Sequence, residues 1–285
     1  MKTIIVGDPH IVEEAIPELE KIFSEVLELE GDTLIMLGDY FDKRKPSAKE
    51  VIFGTKWAFQ FKNKFKQVIY LRGNHDRTKD VSVIDYLAYF GIEVVDEYTD
   101  EDNNYYGHFM TNKSLYEYGS FQHTVAELRH YNRVILGHQH SYQEIEKNMW
   151  HIGSCRFVNF NEVTDKNKKI LILNNGTEEF LILKNPIKME QVKSVKELPN
   201  MKNKNMKIRL VISSYEQFKK EVNLIKEYRD TFADFKLKLD FTKMPIRNDE
   251  KMEIARKKKL SEVLEEGISK IKDEDVKTLI REALK

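Results

Sequence analysis

The chain has 285 residues, 41% hydrophobic and 11% aromatic, enough to bury one sizeable core and a smaller one. Its one cysteine, Cys155, excludes an intramolecular disulfide, no apolar run approaches a membrane span, and the start lacks a signal-peptide pattern, so a cytoplasmic protein with no membrane contact is expected. The net charge of zero hides an asymmetry: residues 1–185 hold 22 Lys/Arg against 29 Asp/Glu, and residues 186–285 hold 25 against 18. An acidic front half suits metal-binding carboxylates, whereas the basic rear half suits either nucleic acid or a lysine-rich solvated surface.

In chain order, a short apolar strand at 3–6 is followed by a helix at 12–29 with Val12, Ile16, Leu19, Phe23, Val26 and Leu27 at helical spacing. A strand at 33–37, a helix from the N-cap Ser47 to about 62, a strand at 67–71, a helix at 81–90 stopped by Gly91 and a strand at 92–95 continue the alternation. Short strands are then predicted at 104–107, 133–136, 141–146, 149–152, 156–160, 168–173 and 179–183, with hairpin turns at Asn148-Met149 and Asn174-Asn175-Gly176. Asn185-Pro186 marks a boundary. Residues 186–205 read as a linker with some extended structure, and 207–241 as a small strand-helix-strand unit. Residues 249–285 read as two amphipathic helices. The expected fold is α/β, a two-sheet sandwich flanked by helices, with domains at 1–185, 186–243 and 244–285.

Each chemically loaded motif follows a predicted strand. These are Asp8-Pro9-His10, Gly38-Asp39, Gly73-Asn74-His75-Asp76, Gly107-His108 and Gly137-His138-Gln139-His140. Sites in open α/β sheets form at the carboxyl ends of strands, so the groups can meet at one edge. Carboxylate, amide oxygen and imidazole suit manganese, iron or zinc better than calcium. Two such ions clamp a phosphate and activate a water. Five of the eight histidines fall in these motifs, while His123, His130 and His151 lack such context.

Over residues 1–185 this set resembles the calcineurin-like metallophosphoesterases. The resemblance implies one divalent ion held by Asp8, His10, Asp39 and His140, and a second held by Asp39, Asn74, His108 and His138, with Asp39 bridging. Both ions are expected to be Mn2+. It implies that His75 faces the scissile phosphate and that Asp76 orients His75. His123 is the reserve for His108, whose strand is short and polar.

Gly38-Asp39-Tyr40-Phe41-Asp42 with Lys45-Pro46-Ser47, and Gly153-Ser154-Cys155-Arg156 with Phe160-Asn161-Glu162 and Asp165-Lys166, resemble the SbcD-type nuclease subunits of double-strand-break repair complexes. That resemblance implies a DNA substrate, a small capping domain at 207–241, a homodimer, and a helical tail docking on an SMC-like ATPase. Only 34 positions separate Asn74 from His108, which fits a compact nuclease or a phosphatase that never binds duplex. The tail helices fit a partner-binding role or packing on their own domain.

Overall fold

Strand β1 (Lys2–Val6) turns Ile4 and Val6 to one face and Ile5 to the other, and all three are fully buried. A strand apolar on both faces belongs inside a layered protein. The structure, a computed structural model, describes residues 1–78, 81–115, 122–198, 206–229 and 231–239, with isolated positions at 269, 274, 277 and 278.

After β1, a 3-10 turn at Glu13–Ala15 leads into α1 (Ile16–Leu27). Pro17 sits in its first turn, where a missing N–H costs nothing, so the α-helix starts later than apolar spacing suggests. Next come β2 (Thr33–Met36), α2 (Ala48–Lys64) and β3 (Gln67–Leu71). Ser47 caps α2: its side chain accepts from the Glu50 amide, and the Glu50 carboxylate accepts from the Ser47 amide. A 3-10 helix at Asp85–Phe90 replaces the helix expected at 81–90 and precedes β4 (Glu93–Val95).

Then follow β5 (Tyr98–Thr99), β6 (Asn104–Gly107), the short α3 (Val125–Leu128), β7 (Arg133–Leu136), β8 (Gln143–Glu146) and β9 (Met149–His151). β10 (Lys169–Asn174) and β11 (Thr177–Ile182) close the sandwich as a hairpin. Asn175 and Gly176 both have positive φ at its turn. The strand expected at 156–160 is absent; that stretch runs without regular structure into a 3-10 turn at Phe160–Glu162.

One sheet has the order β11-β10-β1-β2-β3-β4 and the other β5-β6-β7-β9-β8. Between them lie Ile5, Ile35, Leu37, Ile69, Leu71 and Leu171 from the first, with Tyr106, Ile135 and Trp150 from the second. The opposite face of the first sheet packs Ile4, Val6, Leu34, Met36, Val68 and Tyr70 against α1 and α2. The outer face of the second packs Tyr105, Val134, Leu136 and Met149 against α3. The chain therefore has the mixed α/β architecture, two sheets flanked by helices, that the sequence leads one to expect.

The chain divides into two compact units, 1–187 and 188–285. The first reaches past the expected boundary at 185 because the amides of Lys184 and Ile187 donate to Glu25 and Glu18. In the second, β12 (Lys188–Val192), β13 (Met206–Ile212), α4 (Tyr215–Arg229) and β14 (Asp234–Leu239) form a parallel sheet in the order β12-β13-β14. β12 occupies part of the stretch expected to be linker. The two tail helices expected at 249–285 lie outside the described residues. Among the described residues, no helix is long and apolar enough to cross a membrane.

Candidate metal centre

β1, β2 and β3 run parallel in one sheet and β6 and β7 run parallel in the other, and the loops after all five converge. The His10 amide donates to the Asp39 carbonyl at 2.9 Å, and the Gly137 amide to the Gly107 carbonyl at 3.0 Å. Two glycines are required by closeness. A Cβ on Gly73 would stand 2.1 Å from Asp39 Oδ1, and one on Gly137 would stand 2.6 Å from Asp8 Oδ1. Asp8, His10, Asp39 and His138 all adopt positive φ, at 30°, 46°, 46° and 73°. The remaining described non-glycine residues with positive φ are the asparagines 103, 148 and 175. Left-handed backbone costs about 1–3 kcal/mol per residue, and here it gathers where the candidate ligands are.

Asp39 is the hub. Its Oδ2 lies 3.3 Å from His108 Nε2 and 3.6 Å from His10 Nε2, while its Oδ1 accepts the His75 amide at 2.8 Å. On one side, Asn74 Oδ1 lies 3.1 Å from His108 Nε2 and 2.7 Å from His138 Nδ1. On the other, the His10 ring packs edge-on against His140 and His75, with centroids 4.6 and 4.9 Å apart. Asp8 Oδ1 is 3.6 Å from His108 Nδ1. Ligand atoms of His10, Asp39 and His75, and of Asp39, His108 and His138, form two compact groups that share Asp39. All seven expected ligands are thus brought together. His123 is not among them: its Nε2 lies 3.4 Å from Glu97 and its ring packs on Phe109.

The donors fit divalent ions. Asp8 and His10 are buried, and among the described residues neither Asp8 oxygen nor either His10 ring nitrogen makes a hydrogen bond. Burying a polar group without a partner is costly; a cation would satisfy the Asp8 carboxylate and one His10 ring nitrogen, Nε2, while Nδ1 faces Asp42 Oδ1 at 3.3 Å. Burial pushes the Asp8 carboxyl up, as does the charge of Asp39. Burial acts the same way on Asp39, but His108, His10 and the His75 amide outweigh it and hold that carboxylate ionised. Burial pulls His10 and His138 down to about 4, which keeps their nitrogens unprotonated and able to coordinate. Burial also opposes charge on His108, yet Asp39 and Asp8 carry it up to about 10. Its Nδ1–H donates to the Leu37 carbonyl at 2.6 Å, which turns Nε2 toward Asp39 and Asn74.

A model of the calcineurin-like phosphoesterases matches residues 1–214. The chain belongs to that family. Solved structures similar to this phosphoesterase include a Vps29 variant from Entamoeba histolytica, at 14% identity over 65% of this chain and 100% of that one, with a TM-score of 0.38. Pseudomonas putida nuclease MPE is 18% identical over 63% and 87%, with a TM-score of 0.34. A putative diadenosine tetraphosphatase is 15% identical over 65% and 94%, with a TM-score of 0.37. A search of curated proteins gave no match.

One expected role needs correction. Asp76 does not orient His75 by a hydrogen bond. Its buried carboxylate accepts the amides of Tyr40, Phe41 and Gly73, and so braces the second and third ligand loops against each other. The ring of His75 is held instead by the Asp42 main chain, whose carbonyl accepts from Nδ1 at 2.6 Å. The Asp42 side chain reaches His10 Nδ1 at 3.3 Å. Asp42 therefore touches a candidate ligand and the candidate phosphate-facing histidine, a role that sequence reading missed. Its place two residues past Tyr40, in the same loop as Asp39, was the available signal.

Proposed function

We propose that this phosphoesterase is a DNA nuclease that hydrolyses phosphodiester bonds with two Mn2+ ions, acting in the cytoplasm in recombination and repair. The observation that carries the reading is the openness of the rim around a buried floor. Asp8, His10 and Asp39 are buried, whereas Asn74 is exposed and His75, His138 and His140 are partly exposed. A cleft of about 620 Å3 runs out from Asn74 and His108 between Arg72, Arg77, Phe109 and Gln122. A second, of about 130 Å3, lies beside His138 and His140. An open floor with clefts leading off it suits a polymer lying across the site. Arg72 and Arg77 supply guanidinium groups of the kind that meet backbone phosphates, although both now pair with Asp96.

When bound, the two ions would clamp the scissile phosphate and supply the nucleophile. The chain's own part is positional. Asp39 ties the two ligand groups together. His75, with Nδ1–H committed to the Asp42 carbonyl, presents Nε2 to the phosphate, where it stabilises developing charge or protonates the leaving oxygen.

A non-DNA phosphodiester or monoester is the second reading, favoured by the 34 positions between Asn74 and His108. One assay separates the two. Purified protein with Mn2+ is incubated with linear duplex DNA, single-stranded DNA and a small aryl phosphodiester. The proposal expects DNA cleavage that falls about 100-fold or more in His75→Ala. Rapid turnover of the small ester with intact DNA would defeat it.

The SMC-like ATPase partner and the homodimer are proposed with it. Support for a partner face comes from α2 and the 3-10 helix at Asp85–Phe90, which meet through Thr55 Oγ1 and Tyr86 OH at 2.9 Å. On these two elements Ile52, Phe59, Tyr89 and Phe90 are exposed. Recovery of an ATPase subunit with the full chain, and its loss when residues 249–285 are removed, is the expected result for the tail.

A further inference from the structure

The segment from Gly153 to Lys168 threads between two ligand loops. The Cys155 amide donates to the Gly7 carbonyl, and the Ser154 amide to the His140 carbonyl, both at 2.9 Å. Two cations and a carboxylate in this strap are almost fully buried: Arg156, Lys168 and Glu162 are 3%, 3% and 1% exposed. We propose that this strap is a positioning device for one of the two metal sites only, the one formed by Asp8, His10 and His140.

Each buried side chain grips that site. Arg156 spreads its planar fork over the first ligand loop, donating from Nε to the Pro9 carbonyl at 2.9 Å and from Nη2 to the His10 carbonyl at 2.7 Å. This is the loop in which Asp8 and His10 adopt positive φ, so the fork holds a backbone that would otherwise relax. Glu162 Oε1 lies 3.2 Å from His140 Nδ1, an arrangement that fixes the ring and directs Nε2 away from the carboxylate. The Val158 and Asn159 amides and the Ser154 hydroxyl hold Glu162 in place. Lys168 Nζ pairs with Glu162 Oε2 at 2.6 Å and donates to the His140 carbonyl at 2.9 Å.

Among the described residues, none of the hydrogen bonds of these three side chains runs to Asn74, His108 or His138. A buried ion pair adds little net stability over a well-packed apolar pair, so the Glu162–Lys168 pair is better explained by what it orients. The two metal sites are therefore held differently, one by this buried strap and the other by Asp76 and by His151, which lie outside it.

The inference rests on the two-ion centre but not on DNA as the substrate, and the test uses Mn2+ alone. Calorimetric titration of the full chain is expected to show two ions. In Glu162→Gln/Lys168→Met, which removes both charges of that pair together and leaves only the partly exposed Asp165, the other partner of Lys168 at 2.9 Å, without its cation, one ion should bind with unchanged affinity and the other about 10–100-fold more weakly. Arg156→Lys keeps the charge but cannot reach both carbonyls, and should weaken the same site. In a His138→Ala background, which cripples the other site, either change should remove the remaining tight binding. Circular dichroism identifies which variants are folded, and any folded one decides. Two unchanged sites, or two sites weakened equally, would overturn the proposal. A wild-type chain that binds fewer than two ions would instead defeat the two-ion centre itself. Uncleaved DNA would leave this result standing.

Discussion

His151 shows what a histidine does when it is not a ligand. It is fully buried at the end of β9, donates from Nδ1 to the Gly137 carbonyl at 2.9 Å, and meets Ser114 Oγ with Nε2 at 2.7 Å. Burial pulls its pKa from 6.5 down to about 3. The unfolded chain therefore takes up a proton below 6.5 that the folded chain refuses until about 3. Stability is untouched above pH 6.5 and falls between those values, at up to about 1.4 kcal/mol per pH unit from this group. Urea unfolding of wild type and His151→Gln across pH 4–8 should give a shallower acid decline in the variant, and parallel curves would contradict the assignment. The seven candidate ligands were legible in the sequence because each donor sits in a short motif after a strand. Asp42 was not legible as a brace for His75, because it acts through its carbonyl and any residue type has one. Arg156 was legible only as part of a resemblance, since its acceptors lie 147 and 146 positions earlier.

At the scale of elements, the same physics explains what was read and what was missed. Alternation in β1, β2 and β3 is hidden because both faces are buried, yet their apolar runs marked them clearly. Residues 156–160 look like a strand because Phe157 and Phe160 are apolar, but this stretch contributes amides to Glu162 instead of to a ladder. β12 was read only as extended linker because its sequence, Lys-Met-Glu-Gln-Val, offers only Met189 and Val192 to a core. The loop after β3 has no room to change. In Gly73→Ala the new methyl group would collide with the Asp39 amide and carboxylate, both 2.1 Å away, so the hub must move. Mn2+ binding is expected to fall more than 10-fold while the helical signal in circular dichroism stays near wild type. Unchanged metal binding would show that Asp39 is not held where the structure places it.

At the scale of the molecule, the first unit is a sandwich whose ligand-bearing loops come from both sheets, so the site exists only when the sheets pack. The second unit, at 188–285, has its own core around Ile208, Leu210, Ile212 and Ile225. The homodimer proposed above draws on exposed apolar side chains on two neighbouring elements, Ile52 and Phe59 on α2 and Tyr89 and Phe90 on the 3-10 helix. Light scattering should give twice the chain mass for wild type and a single chain mass for Phe59→Asp, whereas a monomeric wild type would rule out the homodimer. Crystals grown with Mn2+ and measured by anomalous scattering will show whether two ions share Asp39. Two peaks about 3.5–4 Å apart are expected, one among Asp8, His10, Asp39 and His140 and the other among Asp39, Asn74, His108 and His138. A single peak, or a peak coordinated by His75, would contradict the two-ion centre.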